Sequence, residues 1–92
     1  MLNLKTRTKV LNDIQDERDK QISKWGHQYH DYATWYTILG EEFGEVGQAI
    51  QKGSVAHKKT DADDLYKELI QVAAVVTAIA EQVILDGKNI SN

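Results

Sequence analysis

Cysteine and proline are both missing from these 92 residues. Without cysteine there is no disulfide framework and no cysteine–zinc centre. There is no excess of basic residues either. The formal net charge is −3, which gives no reason to expect a surface for a nucleic acid polymer. The opening Met1-Leu2-Asn3-Leu4-Lys5 lacks the apolar run of a signal peptide. The longest apolar run, Val72 to Ala80, is too short to cross a bilayer. The expectation from these absences is a soluble cytoplasmic protein with no membrane or nucleic acid partner. The length suggests one domain over residues 1–92, with a core that is modest for a monomer.

What remains reads as three helices, at about 8–24, 32–52 and 61–86. Leu11, Ile14, Ile22 and Trp25 keep helical spacing in the first. Arg18 falls on its apolar side. Either its stem packs while its head reaches water, or its guanidinium meets a carboxylate of the second helix or a phosphate. Gly26 is a natural stop. The stretch Trp25-Gly26-His27-Gln28-Tyr29-His30-Asp31 either lines the mouth of a pocket, with aromatics able to stack on a base, or simply covers the end of a bundle. Asp31 or Thr34 can cap the second helix. Gly40, Gly44 and Gly47 weaken that helix, and their spacing suggests close approach of a neighbouring helix. Gly53 reads as its terminator, followed by a basic connection containing Lys58 and Lys59. Asp61, Asp63 and Asp64 suit the positive start of the third helix, and Gly87 reads as its end.

The informative feature is acid placed among apolar residues. At about 100° per residue, Trp35, Ile38, Leu39, Phe43, Val46, Ala49 and Ile50 share one face of the second helix. Glu42 falls near the middle of that face and Glu45 at its edge, with Glu41 further round. The third helix repeats the pattern. Its stripe of Leu65, Leu69, Val72, Val76, Ile79 and Val83 is interrupted by Glu68, and Gln71 lies at its flank. A buried carboxylate is costly unless a cation or a donor answers it. Side chains at i and i+3 are neighbours on a helix. Two such helices packed antiparallel can therefore gather Glu42, Glu45, Glu68 and Gln71 around one hard cation, for which oxygen ligands suit magnesium or manganese.

Glu41-Glu42-x-x-Glu45, followed by Glu68-x-x-Gln71, resembles the signature of the MazG-type all-α nucleotide pyrophosphohydrolases. Upstream, Glu17-Arg18-x-x-Gln21 and then Lys24-Trp25-Gly26 resemble the first helix of that family and its exit. The resemblance covers roughly Glu17 to Glu81 and departs at one position, where Gln71 stands for the family's aspartate. It implies an all-α antiparallel bundle completed by oligomerisation, as a homodimer or a dimer-of-dimers tetramer. The third helix, apolar almost all round from Ile70 to Ala80, would supply most of the contact.

The implied activity is metal-dependent hydrolysis of a nucleoside triphosphate to the monophosphate and pyrophosphate. Glu42, Glu45, Glu68 and Gln71 would hold Mg2+ or Mn2+, and Glu41 would orient or deprotonate the water. Arg18, Trp25, Lys58, Lys59 and Lys67 would contact substrate. Two alternatives stand beside it. One is a catalytically degenerate nucleotide-binding or helical interaction module, which Gln71 favours. The other is a phosphoribosyl-ATP pyrophosphohydrolase-like enzyme.

Gln71 yields a direct expectation. An amide oxygen can ligate magnesium but brings no charge, so the free protein should bind the cation weakly and couple its binding to a triphosphate. Gln71→Asp should tighten magnesium binding without nucleotide and keep or raise turnover. Calorimetric titration of both forms measures this, and equal affinities would remove Gln71 from the ligand set.

Overall fold

The computed structural model describes residues 3–56 and 59–91, with side chains over 3–51 and 64–87. It is all-α among the described residues: α1 (Leu4–Trp25), α2 (Tyr32–Ala56) and α3 (Lys59–Ser91). Each helix is longer than its pattern suggests. α1 starts at Leu4 because Asn3 caps it, its Oδ1 accepting from Thr6 N–H at 2.8 Å. α2 runs past Gly53 to Ala56, and α3 runs past Gly87 to Ser91. A glycine lowers helix propensity by only about 1 kcal/mol, and neither of these two ends its helix. The basic connection expected over residues 53–61 is therefore largely helical, and Lys58 lies outside the described residues.

Gly26 does act as a stop. Its φ of 76° is one that L side chains rarely adopt, and its N–H donates to Ile22 O at 2.7 Å. Asp31 then opens α2, accepting from Thr34 N–H at 2.8 Å.

α3 is the central element. α2 packs along it, and α1 packs on another of its sides, while α1 and α2 make no close backbone approach among the described residues. The buried apolar core is short: Trp35, Val46 and Ala49 from α2 against Ile70, Ala74 and Val75 from α3. No residue of α1 is buried. Phe43 and Ile50, expected on the core face of α2, are instead 70% and 50% exposed. They lie at one edge of a wide stripe whose centre is taken by Trp35, Val46 and Ala49. The radius of gyration is 15.4 Å, against about 12 Å for a compact chain of this length.

One buried polar side chain ties the elements together. Gln82 of α3 accepts from Trp35 Nε1–H at 2.8 Å and donates to His30 O at 2.7 Å. The edge of the His30 ring meets Trp35, with centroids 4.7 Å apart. One turn on, Asp86 accepts from the hydroxyls of Tyr29, at 2.9 Å, and Tyr32. The Gly26–Asp31 connection is thus fastened to the C-terminal half of α3.

α3 also carries a 24-residue segment, Asp64–Gly87, that is long and apolar enough to cross a membrane by length and composition alone. The nine-residue run read from sequence understated it, because isolated polar residues such as Gln71 and Gln82 interrupt the run without changing its average. Only 22% of the most apolar window is buried within this chain.

Replacing Gln82 with Leu keeps roughly the volume but strands the Trp35 N–H and the His30 carbonyl. The expected loss of stability is about 2–4 kcal/mol, read as a lower urea midpoint at fixed protein concentration. An unchanged midpoint would show that the amide does not fasten the connection.

Candidate metal and substrate site

Glu42 and Glu45 lie one turn apart on α2, and Glu68 faces them from α3 because the two helices pack along their lengths. One carboxylate oxygen from each lies within 4.8 Å of the others. Among the described residues no other trio of His, Cys, Asp or Glu side chains converges in this way. The His27, His30 and Asp31 stretch forms no such group: His30 is occupied with Trp35 and Asp31 with the start of α2.

The cluster is electrostatically unanswered. Glu42 Oε2 and Glu68 Oε2 are buried and accept no hydrogen bond. Burial pushes the Glu42 carboxyl above its ordinary range, and the charges of Glu45, Glu17 and Glu41 add to this. Glu68 is pushed up by burial first, then by a hydrogen bond with Glu45 and by the charges of Glu45 and Glu42, with Lys67 opposing. Like charges at this spacing repel, and lone pairs withheld from water lose their hydration. A divalent cation reverses both penalties, so the donor set fits one.

Beside the cluster opens a cavity of about 450 Å³ between α1 and α2, floored by α3. It exists because α1 and α2 diverge while both rest on α3. α1 contributes Glu17, Arg18, Gln21 and Ile22; α2 contributes Trp35, Ile38 and Glu42; α3 contributes Gln71, Val75, Ala78 and Glu81. Trp25, Gly26, His27, Gln28 and Tyr29 line the end where the connection crosses. Glu42 and Gln71 belong to the cavity wall, so the acidic cluster and the cavity share a boundary. Trp25 and Tyr29 remain more than half exposed, lining the cavity while capping little of the core.

Arg18 reaches neither α2 nor open solvent. Its side chain is 11% exposed and its guanidinium donates to Glu81 of α3, a partner that the spacing of the motif does not reveal. Its Nε–H is buried without an acceptor. Lys67 lies outside the cavity, in a groove with Asp13, Lys20 and Tyr66. Lys58 and the side chain of Lys59 fall outside the described residues. Glu41 is exposed on α2, outside the converging trio.

Gln82 and Glu81 were given no role by sequence reasoning, and only Gln82 carried a signal. It interrupts an apolar helix just as Glu68 and Gln71 do. Neither a family model nor a curated protein nor a solved structure matches the chain.

The raised carboxyls set a pH dependence. A group whose folded pKa is raised adds stability below its unfolded value, near 4.5 here, and loses that contribution as pH rises through the folded value. Asp13, Asp31 and Asp86 act oppositely. Hydrogen bonds from Tyr66, Thr34 and Tyr32, respectively, hold them below 3.8, so their contribution vanishes only in stronger acid. Thermal melts in chelator should therefore show stability rising as pH falls from 7 toward the ordinary glutamate range, and declining again in acid below the ordinary aspartate range. Glu42→Gln with Glu68→Gln should flatten the rise and stabilise the metal-free protein at pH 7. A flat profile in the parent would show that the two carboxyls are hydrated.

Proposed function

We propose that this chain is a metal-dependent nucleoside triphosphate pyrophosphohydrolase of the MazG type, releasing pyrophosphate and the monophosphate. The observation that carries the reading is the convergence of Glu42, Glu45 and Glu68, two of them with stranded oxygens, beside an aromatic-lined cavity whose wall includes Glu42. A cavity of this size suits a nucleoside.

Glu42, Glu45 and Glu68 would hold Mg2+ or Mn2+, and Gln71, at the cavity wall beside Glu42, would offer an amide oxygen. A cation there neutralises phosphate oxygens and lowers the pKa of an attacking water. The rest falls to the chain's own groups. Trp25 and Tyr29 present aromatic faces on which a base can stack. Arg18, anchored by Glu81 and lining the cavity, would offer its remaining guanidinium N–H groups to a phosphate. Glu41, exposed next to the cluster, is the general base in this reading, taking a proton from water on the solvent side. The reading includes a soluble cytoplasmic protein that self-associates, which the half-exposed line Leu69, Val76 and Val83 on α3 supports.

One feature favours a second reading, a nucleotide-binding module without turnover. Gln71 supplies no charge, so three carboxylates stand where the related motif has four.

A panel of nucleoside triphosphates with magnesium or manganese, scored for pyrophosphate release, decides between them. Turnover of at least one member is expected, with Glu42→Gln and Glu68→Gln each slower by about 100-fold or more. Silence across the panel from folded protein, with nucleotide still bound, would select the module. Full activity in both variants would remove the glutamates from the site.

A further inference from the structure

The connection between α1 and α2 is already fastened without its tyrosine. Gly26 ends α1, Gln82 holds the His30 carbonyl, and Asp31 caps α2. Tyr29 adds a tie of another kind. Its ring is 69% exposed and lines the cavity, and its hydroxyl donates to Asp86 Oδ1 of α3 at 2.9 Å. A ring so exposed buries little apolar area, so the main effect of the bond is on the direction of the ring. Phenylalanine would stack as well but would lack that direction.

Asp86 is suited to hold it. Its other oxygen accepts from the hydroxyl of Tyr32, in the first turn of α2. The bonds from Tyr32 and then Tyr29 keep the carboxyl below its ordinary range. It therefore stays ionised at neutral pH, and both hydrogen bonds are charge-assisted. Tyr32 shares the carboxylate, but its ring does not line the cavity. The other exposed ring there, Trp25, has only a local partner, the Lys24 ammonium 4.8 Å from its centroid. Tyr29 is the ring tied to α3.

α3 also carries the acidic end of the site. Glu68 and Asp86 are eighteen residues apart in the chain, which is about five full turns. They lie on the same side of the helix, with Val75 and Gln82 between them. One rigid element thus sets the ring at one end of the cavity against the carboxylates at the other.

We infer that Asp86 is a positioning residue for substrate: through the Tyr29 hydroxyl it holds that ring as a platform for the base of a nucleotide. The ligand class is a planar ring at one end and a polyphosphate at the other, with the ring stacked on Tyr29. A bare polyphosphate engages only the acidic end and does not sense Asp86. The inference rests on reading the cavity as a nucleotide site, though not on turnover.

Calorimetric titration in magnesium tests this, with α,β-methylene analogues of the common ribonucleoside triphosphates beside inorganic tripolyphosphate. The analogues resist cleavage between the α and β phosphorus atoms, so affinity is read apart from hydrolysis. The parent should bind at least one analogue roughly 10-fold or more tighter than tripolyphosphate, the yield of one stacked base. Tyr29→Phe and Asp86→Ala should each weaken that analogue by about 5-fold or more and leave tripolyphosphate affinity unchanged. The double variant should lose no more than Asp86→Ala alone, since both changes break one bond. Tyr32→Phe loosens the same end of the bundle without freeing the ring in the cavity, so it should cost the analogue less than Tyr29→Phe.

Equal weakening of tripolyphosphate by Asp86→Ala would overturn the inference, because the residue would then be merely structural. Unchanged analogue affinity in Tyr29→Phe, or an equal loss in Tyr32→Phe, would also overturn it. A parent that prefers no analogue to tripolyphosphate would do the same, even with pyrophosphate released in the panel. Tight analogue binding with a silent panel would instead remove the catalytic reading and leave Asp86 its role.

Discussion

α3 is apolar around most of its circumference, and the structure is a response to that. A helix of this kind must be covered on several sides or lose the burial that stabilises it. α2 covers one side through Trp35, Val46 and Ala49, and α1 covers another without burying any residue of its own. Because the backbones of the two covering helices make no close approach among the described residues, their divergence leaves the cavity, and the remaining side of α3 stays open. The cavity and the open face thus have one origin, which is two helices sharing a support with no close backbone approach to each other among the described residues.

The second governing element is the placement of carboxylates in that limited interior. Glu42 and Glu68 occupy positions that methyl groups would fill at lower cost, and their inner oxygens have no donor. A chain that used these positions only for stability would not spend them on repulsion. Gln82 shows the contrast. It is more deeply buried than either glutamate, yet both ends of its amide are satisfied, and it fastens the connection to α3. One buried polar group is satisfied within the chain; the acidic group leaves two oxygens without a partner.

Much of the site was legible in sequence because helices convert spacing into direction. The placement of Glu42 and Glu68 in apolar stripes followed from a period of 3.6 residues. Their convergence followed from antiparallel packing of adjacent helices. Other features were not legible. The pairing of Arg18 with Glu81 joins residues 63 apart, and no local pattern encodes it. The exposure of Phe43 and Ile50 also escaped the wheel, because a broad apolar face does not say which edge a neighbour covers.

The sequence by itself determined the helices, the stop at Gly26, and the set of acidic residues turned inward, since capping, glycine geometry and periodicity are local. Tertiary structure decided how far each helix runs, which side of α2 faces α3, where the cavity opens and which partner Arg18 takes. These depend on the angles at which helices rest on one another, and those angles come from packing among residues far apart in the chain.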